Sequence, residues 1–435
     1  MKRICALMLI LMLVIPAAVM AETKPKISFS SDKYSVVSGE TAVLKLQADS
    51  GCNHDIEIII SDGDNNRYPV VLKAGETETE WNVETNRSTS KKRTYYYVRS
   101  NEQYSRGKTW ETYLTAQAVV MAKFANQFQQ TYLRKDATIK FTVEGSGTLE
   151  NGTPIYLLND DGEVIEQFAY KSNQKTYKVT YTMDESWRPM KTLHVKIEGR
   201  EEADDTMRLF VGNPDEISIY GVKRDDNKIA FTMDCGASSA YAYRILDTLD
   251  EYGVKITFFV TGNFAAHNPD LVAEMLKRGH EIGNHSYNHP HMLDMENSKI
   301  WKEAVSASDV LESITGLRPA LYRPPFGDAN GRIRAIIEGA GMTVIRWTHS
   351  TGDSDETNQD PARSFKGATT DIVGGSIILS HLDSRATTTA LPQILQWYFD
   401  HGFEVVKVSE LLLKGDVTVK EIKSKGYQVY RSELN

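Results

Sequence analysis

The chain has 435 residues, a quarter of them charged and 41% hydrophobic, with a formal net charge of −8. That length exceeds one ordinary domain, and the acidic balance argues against general affinity for nucleic acid. Loss of residues 1–21, which carry Lys2 and Arg3, would take the side-chain charge to −10.

Residues 1–21 read as a secretory signal peptide. Lys2 and Arg3 lead, 4–14 is apolar, and Pro16 with Val19-Met20-Ala21 resembles a cleavage site. The alternative is a retained membrane anchor. No later stretch is long and apolar enough to span a bilayer. The expectation is a secreted or cell-envelope protein without a stable membrane span after cleavage. Of Cys5, Cys52 and Cys235, only the last two would remain, far apart in the chain. Two independent thiols fit that spacing better than a stapled fold.

From 27 to 209 the chain is rich in short strand-like runs, for example 42–46, 56–60, 69–72 and 95–98. Turn signals at 62–66 and 73–75 separate them. A related pattern recurs at 137–143, 155–162, 177–182 and 192–197. Strands of this size need opposing apolar faces, so two all-β immunoglobulin-like sandwiches are predicted, at 26–120 and 125–212. Residues 108–129 read either as a last strand with a linker or as a short helix. The aromatic residues of these modules suit core packing first and sugar stacking second. The modules themselves read as spacers or weak wall-binding units.

Near Gly212 the character changes. Apolar runs at 228–234, 256–262, 281–285, 320–323, 343–347, 376–381 and 404–408 now alternate with helix-like segments. These βα units across 218–413 point to a distorted (β/α) barrel, with a doubly wound sheet as the alternative. Residues 415–435 read as a C-terminal extension with no assigned role.

The candidate chemistry lies at strand ends, the rim that carries function in such barrels. Asp234 ends the first strand and suits a general base beside a metal-bound water. His285 and His289 are four apart; on one helical turn both imidazoles would face one cation. Cys235 is either a thiolate ligand, which favours zinc, or a small buried hydrophobe; a nucleophilic thiol is a third option. Arg323 precedes Pro324 and Pro325, which fix φ, and Gly327, which permits a tight turn. Its fork can orient Asp234 in a bidentate pair, and the Phe326 N–H can face a developing oxyanion. His381 ends an apolar run and suits a general acid, with Asp353, or failing it Asp355, as the carboxylate behind its ring. His349 either meets substrate or faces solvent.

With these residues in order, the region 218–413 resembles the polysaccharide deacetylases, the NodB-homology group of carbohydrate esterases. Thr232-Met233-Asp234-Cys235-Gly236 is similar to the family's Thr-Phe-Asp-Asp-Gly. His285-Ser286-Tyr287-Asn288-His289, Arg323-Pro324-Pro325-Phe326-Gly327 and Leu379-Ser380-His381 match its second, third and fifth motifs. The resemblance implies a NodB-type barrel and a divalent cofactor, most often Zn2+, held by His285, His289 and the residue at 235. It implies Asp234 as base, His381 as acid, and Arg323 orienting the base. Phe326, Trp347 and Pro324 would line the oxyanion and substrate side. The reaction implied is hydrolysis of acetamido groups on an N-acetylated polysaccharide such as peptidoglycan or chitin, releasing acetate. This chain departs from the family at two places. Cys235 stands where a ligating Asp is usual, and Trp347 is followed by Asp353-Ser354 instead of Asp-Trp. Those departures allow a catalytically silent carbohydrate-binding protein of the cell wall; the resemblance also admits an O-acetyl esterase of the xylan type, since some family members act on such esters.

Overall fold

The computed structural model describes residues 24–412 apart from Asp32, Gly147, Glu216, Ile217 and 355–358. The expected signal peptide, the expected extension at 415–435 and Asp355 therefore lie outside the described residues. The chain forms two compact units.

The first unit runs to Met121 and takes in Glu144–Leu149. A four-stranded and a five-stranded sheet face each other across one core. Strict alternation builds it. In Thr41–Ala48, Ala42, Leu44 and Leu46 are buried between exposed neighbours, and Ile56, Ile58 and Ile60 meet them from the other sheet. The stretch that read as strand or helix holds the strand Glu111–Gln117 of this unit, then Met121–Phe124, which joins the three-stranded sheet of the second module, and the start of Phe128–Tyr132. Its aromatic and β-branched residues suit a pleated surface better than a helix.

The second unit comprises Ala122–Val143 and the described residues from Glu150 onward. Its β module again has two sheets, of three and five strands, and Phe141 meets Phe168 edge-on at 5.1 Å. This module shares a core with the (β/α) part. Phe210, in strand Asp205–Gly212, packs with Ile300, Ile333 and Ile336. Gly339 leaves room for it, since a Cβ there would lie 2.8 Å from the Phe210 ring. Between the regions predicted as 125–212 and 218–413 there is thus a packed seam.

The (β/α) part begins with β1 (Lys228–Cys235), α1 (Ala242–Glu251), β2 (Thr257–Val260), α2 (Gly262–His267), α3 (Pro269–Lys277), β3 (Glu281–Asn284) and α4 (Asn297–Thr315). It continues with β4 (Leu321–Tyr322), α5 (Gly331–Gly339), β5 (Thr343–Val344), β6 (His349–Ser350), α6 (Pro361–Thr369), β7 (Ile377–His381), α7 (Arg385–Asp400), β8 (Glu404–Val405) and α8 (Val408–Leu412). The strands pair in parallel in the order β5-β4-β3-β2-β1-β7-β6, with β8 added on β1. One segment bonds both edges: Ile345 N–H reaches the Tyr322 carbonyl and, three residues on, Thr348 N–H reaches that of Ile377. That bridging curls the sheet into an incomplete barrel, the shape expected, and separates it from the open doubly wound alternative.

The two faces of β1 have different surroundings. Ile229, Phe231, Met233 and Cys235 pack outward against α1 and α7. Ala230 belongs to the inner cluster with Phe259, Ile345 and Ile377. Thr232 and Asp234 share that inner face by the period of the strand.

Candidate active site

Asp234 is buried at the rim end of β1, and its register partner on β7 is His381. Its Oδ1 accepts from Arg323 Nη1 at 2.8 Å. The same nitrogen donates to Thr232 Oγ1 at 2.8 Å, so the contact is single and not the bidentate fork expected. Thr232 Oγ1 in turn donates to the Ile378 carbonyl at 2.6 Å. Burial pushes the Asp234 carboxyl up, but the charge and hydrogen bond of the Arg323 guanidinium work against it, and it stays below the usual carboxylate range. Asp234 is thus an ionised acceptor at the rim.

Arg323 is fully buried, with its guanidinium 4.1 Å from the Phe259 ring. Such a cation is tolerated there because a carboxylate, a hydroxyl and a π face surround it. The loop behind it is shaped by two left-handed residues, Phe326 at φ 56° and Gly327 at φ 73°. Gly327 suits this turn, since its φ strains other residues and a Cβ there would also lie 3.0 Å from the Trp347 ring. Trp347 supports this turn, Pro324 is buried within it, and the Phe326 ring is 56% exposed on the rim.

His285 and His289 come together by a route the spacing did not suggest. The segment is a loop, with Ser286 at φ 66° and His289 at φ 58°. Glu303 of α4 holds it, accepting from the Tyr287 and Asn288 N–H groups at 2.9 and 2.8 Å. The two rings lie 4.8 Å apart, centroid to centroid. His285 Nδ1 donates to the Arg323 carbonyl at 2.7 Å. That fixes the tautomer and leaves Nε2 unprotonated, 3.5 Å from Asp234 Oδ2. Burial lowers the His285 pKa to about 4 and lowers that of His289 too, so both rings are neutral. A lone pair facing a carboxylate oxygen suits a bridging cation, so two imidazoles of the implied zinc set fit.

The third member does not join them. Cys235 lies on the outer face of β1 among Met233, Val260 and Leu246. Its Sγ approaches the Met233 carbonyl at 3.8 Å. Burial first, then the Asp234 charge, raises the thiol well above its ordinary pKa, whereas a metal ligand must be thiolate. Among the described residues, no group of three or more His, Cys, Asp or Glu side chains could hold a metal ion.

His381 ends β7. Its Nδ1 donates to Asp353 Oδ1 at 2.7 Å, and its backbone N–H to Oδ2 at 3.0 Å. Burial works to lower the His381 pKa, but the hydrogen bond and charge of Asp353 raise it overall. Thr387, buried in the first turn of α7, donates to Asp353 Oδ2 at 2.6 Å. Neither Thr387 nor Glu303 stood out in the sequence, since each acts through a fold contact with no local motif. His349 is half-buried on β6 beside Thr348.

The profile of the family described as "Polysaccharide deacetylase" matches residues 221–345. The peptidoglycan-N-acetylglucosamine deacetylase of Bacillus cereus is 31% identical over 196 residues, 44% of this chain and 92% of that protein. The peptidoglycan-N-acetylglucosamine deacetylase PgdA of Listeria monocytogenes is 29% identical over 219 residues, 50% of this chain. The chain spans about half of that relative's length, 46%. Among solved structures, a carbohydrate esterase family 4 pseudoenzyme of Bacillus anthracis is similar at 24% identity, over 49% of this chain and 76% of its own, with a TM-score of 0.44.

Proposed function

The chain belongs to the polysaccharide deacetylase family, and from that premise we propose that its barrel rim binds an N-acetylated cell-envelope polysaccharide and is catalytically silent. The observation that carries this reading is Cys235. The family places a ligating carboxylate there; this chain places a neutral thiol turned into the outer core. The remaining rim still offers what a bound sugar needs: the exposed Phe326 ring and the polar groups of Asp234 and His289. A secreted or envelope location and two immunoglobulin-like modules belong to the same proposal.

Deacetylation is the second reading, favoured by the assembled His381–Asp353 pair. A divalent ion, when bound by His285 and His289, would polarise the acetyl carbonyl and a water. Asp234, ionised and held by Arg323, would take the proton. His381, its Nδ1–H tied to Asp353, would present Nε2 to the departing sugar nitrogen.

Titration calorimetry with peptidoglycan fragments, followed by acetate measurement with added Zn2+, separates the readings. Binding that weakens in Phe326→Ala, with no acetate released, is the expected result. Acetate release that disappears in Asp234→Asn would overturn silence and establish the deacetylase. Release from acetate esters alone would identify the O-acetyl esterase.

A further inference from the structure

The histidine loop and the turn after Arg323 meet in a row of rings. His285 lies 4.8 Å from His289, His289 4.6 Å from Phe326, and Phe326 3.7 Å from His291, centroid to centroid. The row starts at His285 Nε2, 3.5 Å from Asp234 Oδ2. It ends at His291, whose side chain is 72% exposed. Neither reading of the rim chemistry uses His291.

This outer end is held from two sides. His291 stacks on Phe326 with 16° between the ring planes. Phe326 and His289 both hold left-handed backbone, at φ 56° and 58°. That conformation costs a bulky residue energy and persists only where the surroundings impose it. Asp328, one residue beyond Gly327, fixes the imidazole. Its Oδ2 accepts from His291 Nδ1 at 3.1 Å and from the Met292 N–H at 3.0 Å. A carboxylate only accepts, so Nδ1 carries the proton, and Nε2 of the neutral ring is left as an acceptor.

We propose that His291 contacts sugar directly and forms an outer subsite of the rim, for the saccharide unit next to the one over His285 and His289. Its open face packs on the apolar C–H face of a hexose. Its Nε2 accepts from a hydroxyl or an acetamido N–H of the same unit. A ring already fixed by Phe326 and Asp328 loses little freedom on binding, and its face supplies apolar contact. This subsite presupposes that the rim binds an N-acetylated polysaccharide, and it names a residue that selects how the strand lies there. A stack that only tightened the turn would change stability and leave affinity alone.

The test is calorimetric titration of the full chain, without added metal, with an N-acetylglucosamine tetrasaccharide. His291→Ala removes both the face and the acceptor and should weaken binding about tenfold. His291→Phe keeps the stack but loses Nε2, and should weaken binding about threefold. Unchanged affinity in His291→Ala, with Phe326→Ala still weakening binding, overturns this subsite and leaves the rim reading in place. No binding by the parent, or unchanged affinity in both alanine variants, overturns both. If His291→Ala melts early, the parent decides by NMR. Its His291 ring resonances should shift on saturation with the tetrasaccharide, and unmoved resonances overturn the subsite.

Discussion

Asp234 and Cys235 are neighbours in the chain and face opposite sides of the same sheet. Asp234 shares the rim with Arg323 and His285, whereas Cys235 packs with Met233 and Leu246 beneath the helices. A single step along a strand therefore separates the one group from the site and leaves the other in it.

Replacing Cys235 with the family's residue should expose that cost. Cys235→Asp places a carboxylate in an apolar layer, which is costly unless the side chain swings toward His285 and His289. The variant should melt early without metal and recover with Zn2+, while the parent shows a smaller metal dependence. Thermal unfolding with and without Zn2+ checks this. A variant equally stable in both conditions would mean that residue 235 does not reach the imidazoles.

Arg323 and Asp234 should behave as a coupled pair. Arg323→Met leaves a buried carboxylate without its cation and should cost about 3–5 kcal/mol in urea unfolding. Adding Asp234→Asn should restore part of that loss. Additive losses would show that the two side chains do not share one interaction.

His280 and His285 set an acid limit. Burial lowers both to about 4, against an unfolded value near 6.5. His280 Nδ1 accepts the Ile256 N–H at 3.2 Å, which requires an unprotonated nitrogen. Below the unfolded pKa the unfolded chain binds more protons. Stability should be fully present above about pH 6.5 and fall toward pH 4, by about 1.4 kcal/mol per pH unit for each histidine. Denaturation across that range should steepen accordingly, and His280→Asn should flatten the slope by one proton.

His381 acts in the opposite direction to those two histidines, whereas its partner Asp353 acts in the same direction. His381 is raised, so its contribution is complete below its unfolded pKa and lost as pH rises through the folded one. Asp353 is lowered, so its contribution is present above its unfolded pKa and lost as pH falls through the folded one. Asp353→Asn should therefore lower the His381 pKa in an NMR titration. Thr387→Val should shift it the same way by less, because it removes only one hydrogen bond to the carboxylate.

Much of the (β/α) part was legible because its signals are local. Apolar runs with a hydrophilic end, such as Ile229 to Asp234, mark a buried strand and its rim wherever they fall. Two prolines before a glycine mark the rigid turn after Arg323 for the same reason. The ordered motifs likewise carried the family. What the sequence alone determined was thus the identity of the rim residues and the order in which strands bring them there. The tertiary structure decided the rest, because direction and distance are not local. It turned Cys235 outward, joined His285 and His289 through two left-handed residues instead of a helical turn, and recruited Thr387 and Glu303 from distant helices. It also divided the tyrosines of the first unit, with Tyr96 in the core and Tyr95 outside, since burial depends on what packs against each face of the sheet.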